Sequence, residues 1–305
     1  MATSRVRSAH CATAVGVIAI FLWSCLALLT TLTEGLPPFE VLTLSFGVAF
    51  IASLVILGRR GLSGFRSWRQ PWPVWATGFV GIFVYHALYF FALKAAPAAE
   101  ASLINYLWPL LLVLLSAFAA GEKLHKRQAF GALLGLAGTA FIMQQRGSDT
   151  SAAMPIPGYL AAFGCALIWA GYSVFNRRFK DVPSSIIGGI CGMSAVGGLV
   201  CHLAFETSVW PDARQWTAIV VLGLGPAGLA FFAWDHATKH GNLATLGALS
   251  YLAPLISTLL LIVVGRSQAS PILMIPALLI IAGAVIATSQ PTLKAPATPS
   301  MVSHE

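Results

Sequence analysis

Charged side chains are scarce in this sequence. Lys, Arg, Asp and Glu together make up 9 % of the 305 residues, whereas they make up about 25 % of a typical soluble domain. Hydrophobic residues account for 57 %, and a soluble chain of this length cannot bury that much apolar surface in one core. The composition therefore excludes an ordinary cytosolic enzyme, a disordered chain and a disulfide scaffold. It predicts an integral membrane protein in a lipid bilayer.

Motifs for metals, nucleotides and covalent catalysis are also missing. The five cysteines show no CxxC spacing, and the sequence contains no GxxxxGK[ST] loop, HExxH or GxSxG motif. We therefore expect no catalytic residues, no metal, no cofactor and no enzymatic activity. The net charge of +8 does not indicate nucleic-acid binding, because the basic residues lie in short runs between apolar stretches.

Apolar runs long enough to cross a bilayer of about 30 Å occur ten times. Prolines or charge clusters separate them, as at Pro37-Pro38 and Arg177-Arg178. The predicted spans are 11–32, 38–58, 72–93, 98–120, 127–145, 156–176, 184–205, 214–236, 242–264 and 270–288. The first run is longer than the apolar region of a signal peptide and predicts a retained helix.

The distribution of Lys and Arg predicts the orientation of these spans. With the N-terminus inside, 14 of the 18 basic residues fall on the cytoplasmic side and 4 on the other. We therefore predict a multi-pass protein of a bacterial-type inner membrane with both termini in the cytoplasm. Residues 1–10 form a cytoplasmic tail in this prediction, and residues 289–305 form a disordered cytoplasmic one.

The chain repeats itself after 145 residues. This shift places Tyr106-Leu107-Trp108-Pro109-Leu110 over Tyr251-Leu252-Ala253-Pro254-Leu255, and it pairs Lys94 with Lys239. A shift of 146 pairs Trp23 with Trp169. Residues 11–145 and 156–288 are therefore predicted to be two five-helix repeats, joined by a periplasmic linker at 146–155. Because five is odd, the repeats are inverted, as in secondary transporters with a substrate site between the halves.

The motifs in the first repeat resemble a known family. Ala98-Ala99-Glu100-Ala101-Ser102 with Pro109, Gly121-Glu122-Lys123 and the Gly131–Gly138 segment are similar to the EamA repeat of the drug/metabolite transporter superfamily. The second repeat is degraded, with Arg266-Ser267-Gln268 in place of Gly121-Glu122-Lys123. Tyr85-His86-Ala87-Leu88-Tyr89 with Asn105–Pro109 is most similar to the aromatic amino acid exporters of the YddG type. The resemblance implies an all-α fold of ten transmembrane helices and a small-molecule substrate, namely amino acids.

Polar and aromatic residues inside the spans are few, which makes them candidates for a substrate site. An ionisable group at mid-depth such as His86 usually faces a cavity or a partner, although a neutral His bonded to a carbonyl is also possible. The candidate substrate-binding residues are Trp23, Tyr85, His86, Tyr89, Asn105, Tyr106, Trp108, Trp169, Tyr172, Asn176 and Tyr251. Trp68, Trp72, Trp75, Trp210 and Trp216 lie at span ends and are assigned to the interfacial belt. Trp234 is equally compatible with packing and with lining a cavity.

No acidic residue is predicted at mid-span, since Asp235 and the other carboxylates fall near span ends. A permanently cationic substrate would find no counter-charge there, so a neutral or zwitterionic solute with an apolar part fits better. We expect a monomeric, facilitative carrier that exports aromatic or other neutral amino acids by alternating access. The alternative is a broad drug or metabolite exporter, coupled to protons through His86.

Overall fold

A computed structural model describes residues 2–61, 63–120, 125–144, 155–266 and 274–288. These residues form helices and short connections, and no strand occurs among them. Residues 146–154 of the predicted linker at 146–155, the tail at 289–305 and the Gly121-Glu122-Lys123 motif lie outside the described residues.

The first half of the chain forms five helices that are broken in places. Proline begins several of them, because its fixed φ suits the first helical turn; Pro38 and Pro73 are examples. The bounds are α1, Ala2–Ser24 and Leu26–Thr31; α2, Pro38–Gly58; α3, Trp72–Phe79, Val80–Val84 and Tyr85–Ala95; α4, Ala98–Asn105 and Trp108–Ala120; and α5, Lys126–Gln144. A short 3-10 helix, Gly64–Trp68, lies between α2 and α3.

The second half repeats this order. Asp212 and Gln215 form a reciprocal capping box at the start of α8, and the Asn242 side chain caps α9 by accepting from the Thr245 amide. The bounds are α6, Ile156–Phe175 with the 3-10 turn Asn176–Phe179; α7, Ile186–Phe205; α8, Ala213–Leu224, Gly225–Leu229 and Ala230–His240; α9, Leu243–Ser250 and Leu252–Val263; and α10, Met274–Thr288.

The observed helices match the predicted spans in number and order. Within the described ranges, eight helices are long and apolar enough to cross a membrane, and α5 and α10 occupy the positions of the fifth and tenth spans. Two helices extend furthest beyond their predicted ends. α1 already begins at Ala2, and α8 continues past 236 to His240. Asp235 and Lys239 therefore both lie on the last turns of α8, whereas the sequence placed Lys239 in a loop.

The packing of the helices shows the pseudo-twofold relation between the halves. Equivalent helices pack against each other in the pairs α2–α7, α4–α9 and α5–α10. The contact of α1 with α8 is matched by the contact of α6 with α3. This pattern confirms the inverted-repeat architecture.

Irregular backbone also follows the repeat. Val80–Val84 in α3 and Gly225–Leu229 in α8 are both π-helical turns, and they are separated by the same 145 residues. The interruption of α4 before Trp108 has its counterpart at Tyr251 in α9. Gly81 lies on the first π turn, where a Cβ would fall 2.4 Å from Cγ of Tyr172. Glycine therefore permits the close contact of α3 with α6, at the kind of turn that is frequent at functional sites.

Candidate functional site

Four tryptophans from four different helices meet at the centre of the molecule. Trp23 of α1, Trp108 of α4, Trp169 of α6 and Trp234 of α8 form what we call the tryptophan cluster. The ring centroids of Trp23 and Trp169 are 5.4 Å apart, and those of Trp23 and Trp234 are 5.2 Å apart. Trp108 lies 6.2 Å from Trp169 and 5.7 Å from Trp234, both edge to face. Both repeats therefore contribute to one aromatic centre.

Two of the four indole N–H groups of the cluster donate hydrogen bonds inside the protein, as buried tryptophans usually do. Nε1 of Trp23 donates to the carbonyl oxygen of Pro226, 3.1 Å away in the π turn of α8. Nε1 of Trp234 donates to Oγ of Ser173 at 3.0 Å. These bonds leave the ring faces and edges of the cluster for apolar contacts.

Phenylalanines extend the cluster towards α3. The Phe231 ring lies 5.5 Å from Trp23 and 6.1 Å from His86, and Phe46 lies 5.5 Å from His86 and 5.8 Å from Phe231. His86 and Phe231 occupy equivalent positions in the two repeats, so the two-fold axis passes close to this contact.

His86 makes the hydrogen bond to a carbonyl that one of the two interpretations requires. Its Nδ1 donates to the carbonyl oxygen of Ile82, 2.6 Å away on the π turn of α3, while the side chain is only partly buried. When Nδ1 carries the proton of a neutral ring, Nε2 is a hydrogen-bond acceptor. The histidine is therefore both anchored to a carbonyl and placed against the aromatic centre.

Tyrosines of α3 form a polar edge beside the tryptophans. The Tyr85 ring is 5.6 Å from Trp169 and stacks on Tyr89 at 6.1 Å. The Tyr85 hydroxyl accepts from Nδ2 of Asn105 at 3.0 Å, and the Tyr89 hydroxyl is 3.0 Å from Oγ of Ser102. The second polar atom of the amide, Oδ1 of Asn105, is buried and has no hydrogen-bond partner among the described residues.

The other predicted residues fall in three different places. Tyr172 is buried with its ring 5.4 Å from Trp169, and Tyr106 is partly buried at the interruption of α4, next to Asn105. Tyr251 lies in a separate core with Val113 and residues of α5 and α10. The structure therefore does not bring Tyr251 to the tryptophan cluster.

Asn176 belongs to a buried polar network at one end of α8. Its Nδ2 donates to Oδ1 of Asp235 at 2.9 Å and to Oγ1 of Thr238 at 3.0 Å. Oδ2 of Asp235 is 2.8 Å from Nζ of Lys239, and the two side chains are only 2 % and 1 % exposed. Nζ of Lys239 also donates to the carbonyl oxygen of Val182 at 3.0 Å. This network ties the ends of α6 and α8 together one layer beyond Trp234.

Exposure changes along the site from one membrane face to the other. At the end of α8, the ion pair and Trp234 are almost fully buried. Towards the end of α3, Tyr85, His86 and Tyr89 are all partly exposed, and Lys94, the counterpart of Lys239, is exposed. Because the repeats are inverted, α3 and α8 end at opposite faces. The described side chains of the site are therefore more deeply buried towards the end of α8 than towards the end of α3.

Sequence reasoning missed three aromatic members of this site. Phe46 and Phe231 were not among the candidates, and Trp234 was left undecided. The 145-residue shift pairs Trp234 with Tyr89 and Phe231 with His86, so the repeat itself carries the signal for two of them. For Phe46, one of 18 phenylalanines, the sequence holds no such signal.

An inverted pair of five-helix units around a central aromatic site defines a multi-pass membrane transporter. The sequence pattern of the EamA-like transporter family matches residues 12–144 and 156–289. The chain belongs to this family, as its motifs predicted.

Named relatives and a solved structure agree with this assignment. The chain is 49 % identical to "Aromatic amino acid exporter YddG" of Ancylobacter novellus, over 91 % of this chain and 96 % of that protein. It is 28 % identical to the protein of the same name from Escherichia coli, over 82 % and 87 % of the two chains. A crystal structure of a 48 % identical protein superimposes with a TM-score of 0.85, covering 91 % of this chain and 97 % of that one.

Proposed function

We propose that this protein is a secondary carrier that exports aromatic and other neutral amino acids by alternating access of its two halves. The observation that carries the proposal is the tryptophan cluster, in which both repeats contribute rings beside a partly exposed tyrosine and histidine edge. The names of the relatives support the same substrate class.

The site offers complementary groups to an aromatic amino acid. The side chain of such a substrate stacks on the indole and phenol rings, for which offset and edge-to-face contacts are favourable. The unpartnered Oδ1 of Asn105 accepts a hydrogen bond from the ammonium group of the substrate. We propose that Trp23, Tyr85, His86, Tyr89, Tyr106, Trp108, Trp169 and Tyr172 contact the substrate along with Asn105. Asn176 and Tyr251 act through packing and hydrogen bonds on other residues.

The charge of the site favours a zwitterion over a cation. Asp235, which follows Trp234 of the cluster, is already paired with Lys239 and Asn176. A permanently cationic solute would lose its hydration without gaining a counter-ion, and burying an unpaired charge is costly. This argues against a general exporter of cationic drugs.

The orientation that we propose places both termini in the cytoplasm of a bacterium and the protein, as a monomer, in the inner membrane. Most exposed basic residues then lie inside, as the distribution of Lys and Arg favours. In this orientation α8 ends at the cytoplasmic face, and the deeper burial at that end supports a site that is closed to the cytoplasm and open to the outside. This is the state in which an exporter releases its substrate.

Reporter fusions test this topology. Fusions after Arg69, Arg127 and Lys180 should report a cytoplasmic position, and a fusion after Glu206 should report a periplasmic one. A periplasmic signal at any of the first three positions would overturn the orientation, because alternating loops must lie on alternating sides.

The response to a pH gradient tests the mode of transport. With His86 as the one titratable imidazole at the aromatic centre, and no free carboxylate beside it in the described chain, we expect uptake into liposomes to follow the substrate gradient with less than about a two-fold effect of ΔpH. His86→Gln should leave this insensitivity unchanged. Strong accumulation driven by ΔpH and lost in His86→Gln would show a proton-coupled exporter instead.

Growth of cells tests the proposed direction and substrate class. Cells that produce the protein should release labelled phenylalanine faster than cells without it, and they should tolerate toxic fluorinated phenylalanine at higher concentrations. Unchanged release together with unchanged tolerance, at confirmed membrane levels of the protein, would refute export of aromatic amino acids.

A further inference from the structure

An apolar cleft lies outside the tryptophan cluster, between α2, α3 and α7. Its volume is about 570 Å³, and its aromatic wall consists of Phe50, Trp68, Trp75 and Phe79. The Phe50 and Trp68 rings stack at 6.0 Å, and Trp75 meets Trp68 edge to face at 6.5 Å. None of these residues contributes to the candidate substrate site.

The opposite wall of the cleft faces outwards from the helix bundle. Glycines of α7 line the bottom, and the rim on α7 is formed by Met193 and Val196, which are 37 % and 63 % exposed. Exposed aliphatic side chains on a transmembrane helix face the hydrocarbon of the bilayer. The cleft is therefore open to lipid chains rather than to water.

A strongly basic loop lies at one end of this cleft. Arg59, Arg60, Arg66 and Arg69 are all exposed on the connection between α2 and α3, and residues 59–71 include no Asp or Glu. Within the described ranges, neither of the two ion pairs involves any of these arginines. In the described part of the chain, the loop therefore presents four positive charges that take part in no ion pair.

The same short turn joins the basic loop to the cleft. The 3-10 helix Gly64–Trp68 carries Arg66 on its exposed side and places Trp68 in the cleft wall. Nε1 of Trp68 donates to the carbonyl oxygen of Ser185 at 2.9 Å, just before α7 begins. This bond holds the arginine loop at the end of α7 that forms the cleft.

The depth of the cleft below the arginine loop fits within one leaflet of a bilayer. Phe79 is seven residues into α3 and Phe50 is eight residues before the end of α2, so both lie about 10–12 Å below the loop at 1.5 Å per residue. The cleft thus extends from the headgroup level into the hydrocarbon of the leaflet at the loop's face.

We propose that this cleft is a binding site for an anionic phospholipid, with an acyl chain against the aromatic wall and the phosphate among the arginines. Basic pockets between transmembrane helices bind anionic headgroups in this manner. The charge of the loop selects an anionic lipid, and the apolar cleft distinguishes a lipid from a free anion.

The test measures lipid binding to the full-length protein in a neutral detergent, by native mass spectrometry. Phosphatidylglycerol should bind at least about 30-fold more tightly than phosphatidylcholine with the same chains, since each nearby arginine contributes about fivefold. The double substitution Arg66→Gln/Arg69→Gln should lower the affinity for phosphatidylglycerol by about 30-fold and leave the affinity for phosphatidylcholine unchanged.

Matched variants separate the cleft from general effects. Val196→Trp fills the exposed rim of the cleft and should lower the affinity for both lipids. Leu203→Trp, on the same helix and 71 % exposed, should leave both affinities unchanged. Arg214→Gln, at the opposite face, should keep the preference for phosphatidylglycerol. Retained amino acid uptake by each variant shows that it is folded.

Several outcomes would overturn the proposal. Equal binding of the two lipids to the unaltered protein would show that the arginines do not select an anionic lipid. An unchanged preference in Arg66→Gln/Arg69→Gln would show that the lipid binds elsewhere. Displacement of the lipid by soluble glycerol phosphate at equal concentration would show a simple anion site. Dimers that form without lipid and are lost in Val196→Trp would show that the cleft binds a second copy of the chain.

Discussion

Replacement of Trp169 by alanine should lower the apparent affinity for an aromatic amino acid by about 5- to 150-fold. Trp169 has ring contacts with all three other members of the tryptophan cluster and with Tyr85. Losing one large aromatic wall removes about 1–3 kcal/mol of burial, which corresponds to that range of affinity. The measurement is the concentration dependence of uptake into liposomes.

Folding must be separated from binding in this experiment, because removal of a buried tryptophan also destabilises the protein by about 3–5 kcal/mol. Trp169→Phe keeps an aromatic ring and should retain most of the uptake. Trp72→Ala and Trp210→Ala, which are 77 % and 86 % exposed, should transport normally. Suppose that Trp169→Ala inserts into the membrane as the controls do and transports with an unchanged apparent affinity. The substrate then does not bind at the tryptophan cluster.

Replacement of Asp235 by asparagine should destabilise the protein by about 3–5 kcal/mol, because it leaves the buried ammonium of Lys239 without its counter-charge. The effect should appear as earlier thermal unfolding of the purified protein in detergent. Asp235→Asn/Lys239→Met removes both charges and should recover most of the loss.

The repeat supplies a matched control for this ion pair. Lys94 is equivalent to Lys239, but it is exposed and has no ion pair in the described chain. Lys94→Met should therefore change stability by less than about 1 kcal/mol. If Asp235→Asn unfolds at the same temperature as Lys94→Met, the buried pair does not stabilise the closed end of the bundle.

The fold could be predicted from the sequence because the bilayer imposes a simple rule. A chain that crosses hydrocarbon must pair its backbone N–H and C=O groups within the protein. Long apolar runs separated by prolines and charges therefore predict transmembrane helices. The 145-residue shift then predicted the inverted repeat, and the π turns at Val80–Val84 and Gly225–Leu229 obey the same spacing. Repeated sequence produced repeated backbone, including its irregularities.

The site could be predicted only in part. Trp23, Trp108 and Trp169 were placed at mid-depth by their distance from the span ends, and they do meet. Tyr251, which the 145-residue shift matches to Tyr106, was also a candidate, yet it lies in a different core. Equivalent positions share a backbone environment but not a neighbour, because the halves differ in the residues around them.

The ion pair escaped prediction for an electrostatic reason. Asp235 and Lys239 looked like the polar end of a span, since isolated charges normally mark the membrane surface. One helical turn apart, they neutralise each other, and α8 continues to His240 with Ala237, Thr238 and Lys239 buried. A hydropathy value is a sum over single residues, so it contains no contribution from an ion pair between two of them.

Uptake of radiolabelled phenylalanine into liposomes that contain only this protein tests the central claim most directly. The proposed function predicts saturable uptake above that of empty liposomes, competition by unlabelled tryptophan, and no competition by arginine. Uptake indistinguishable from empty liposomes, with protein shown to be folded and inserted, would contradict a carrier of aromatic amino acids.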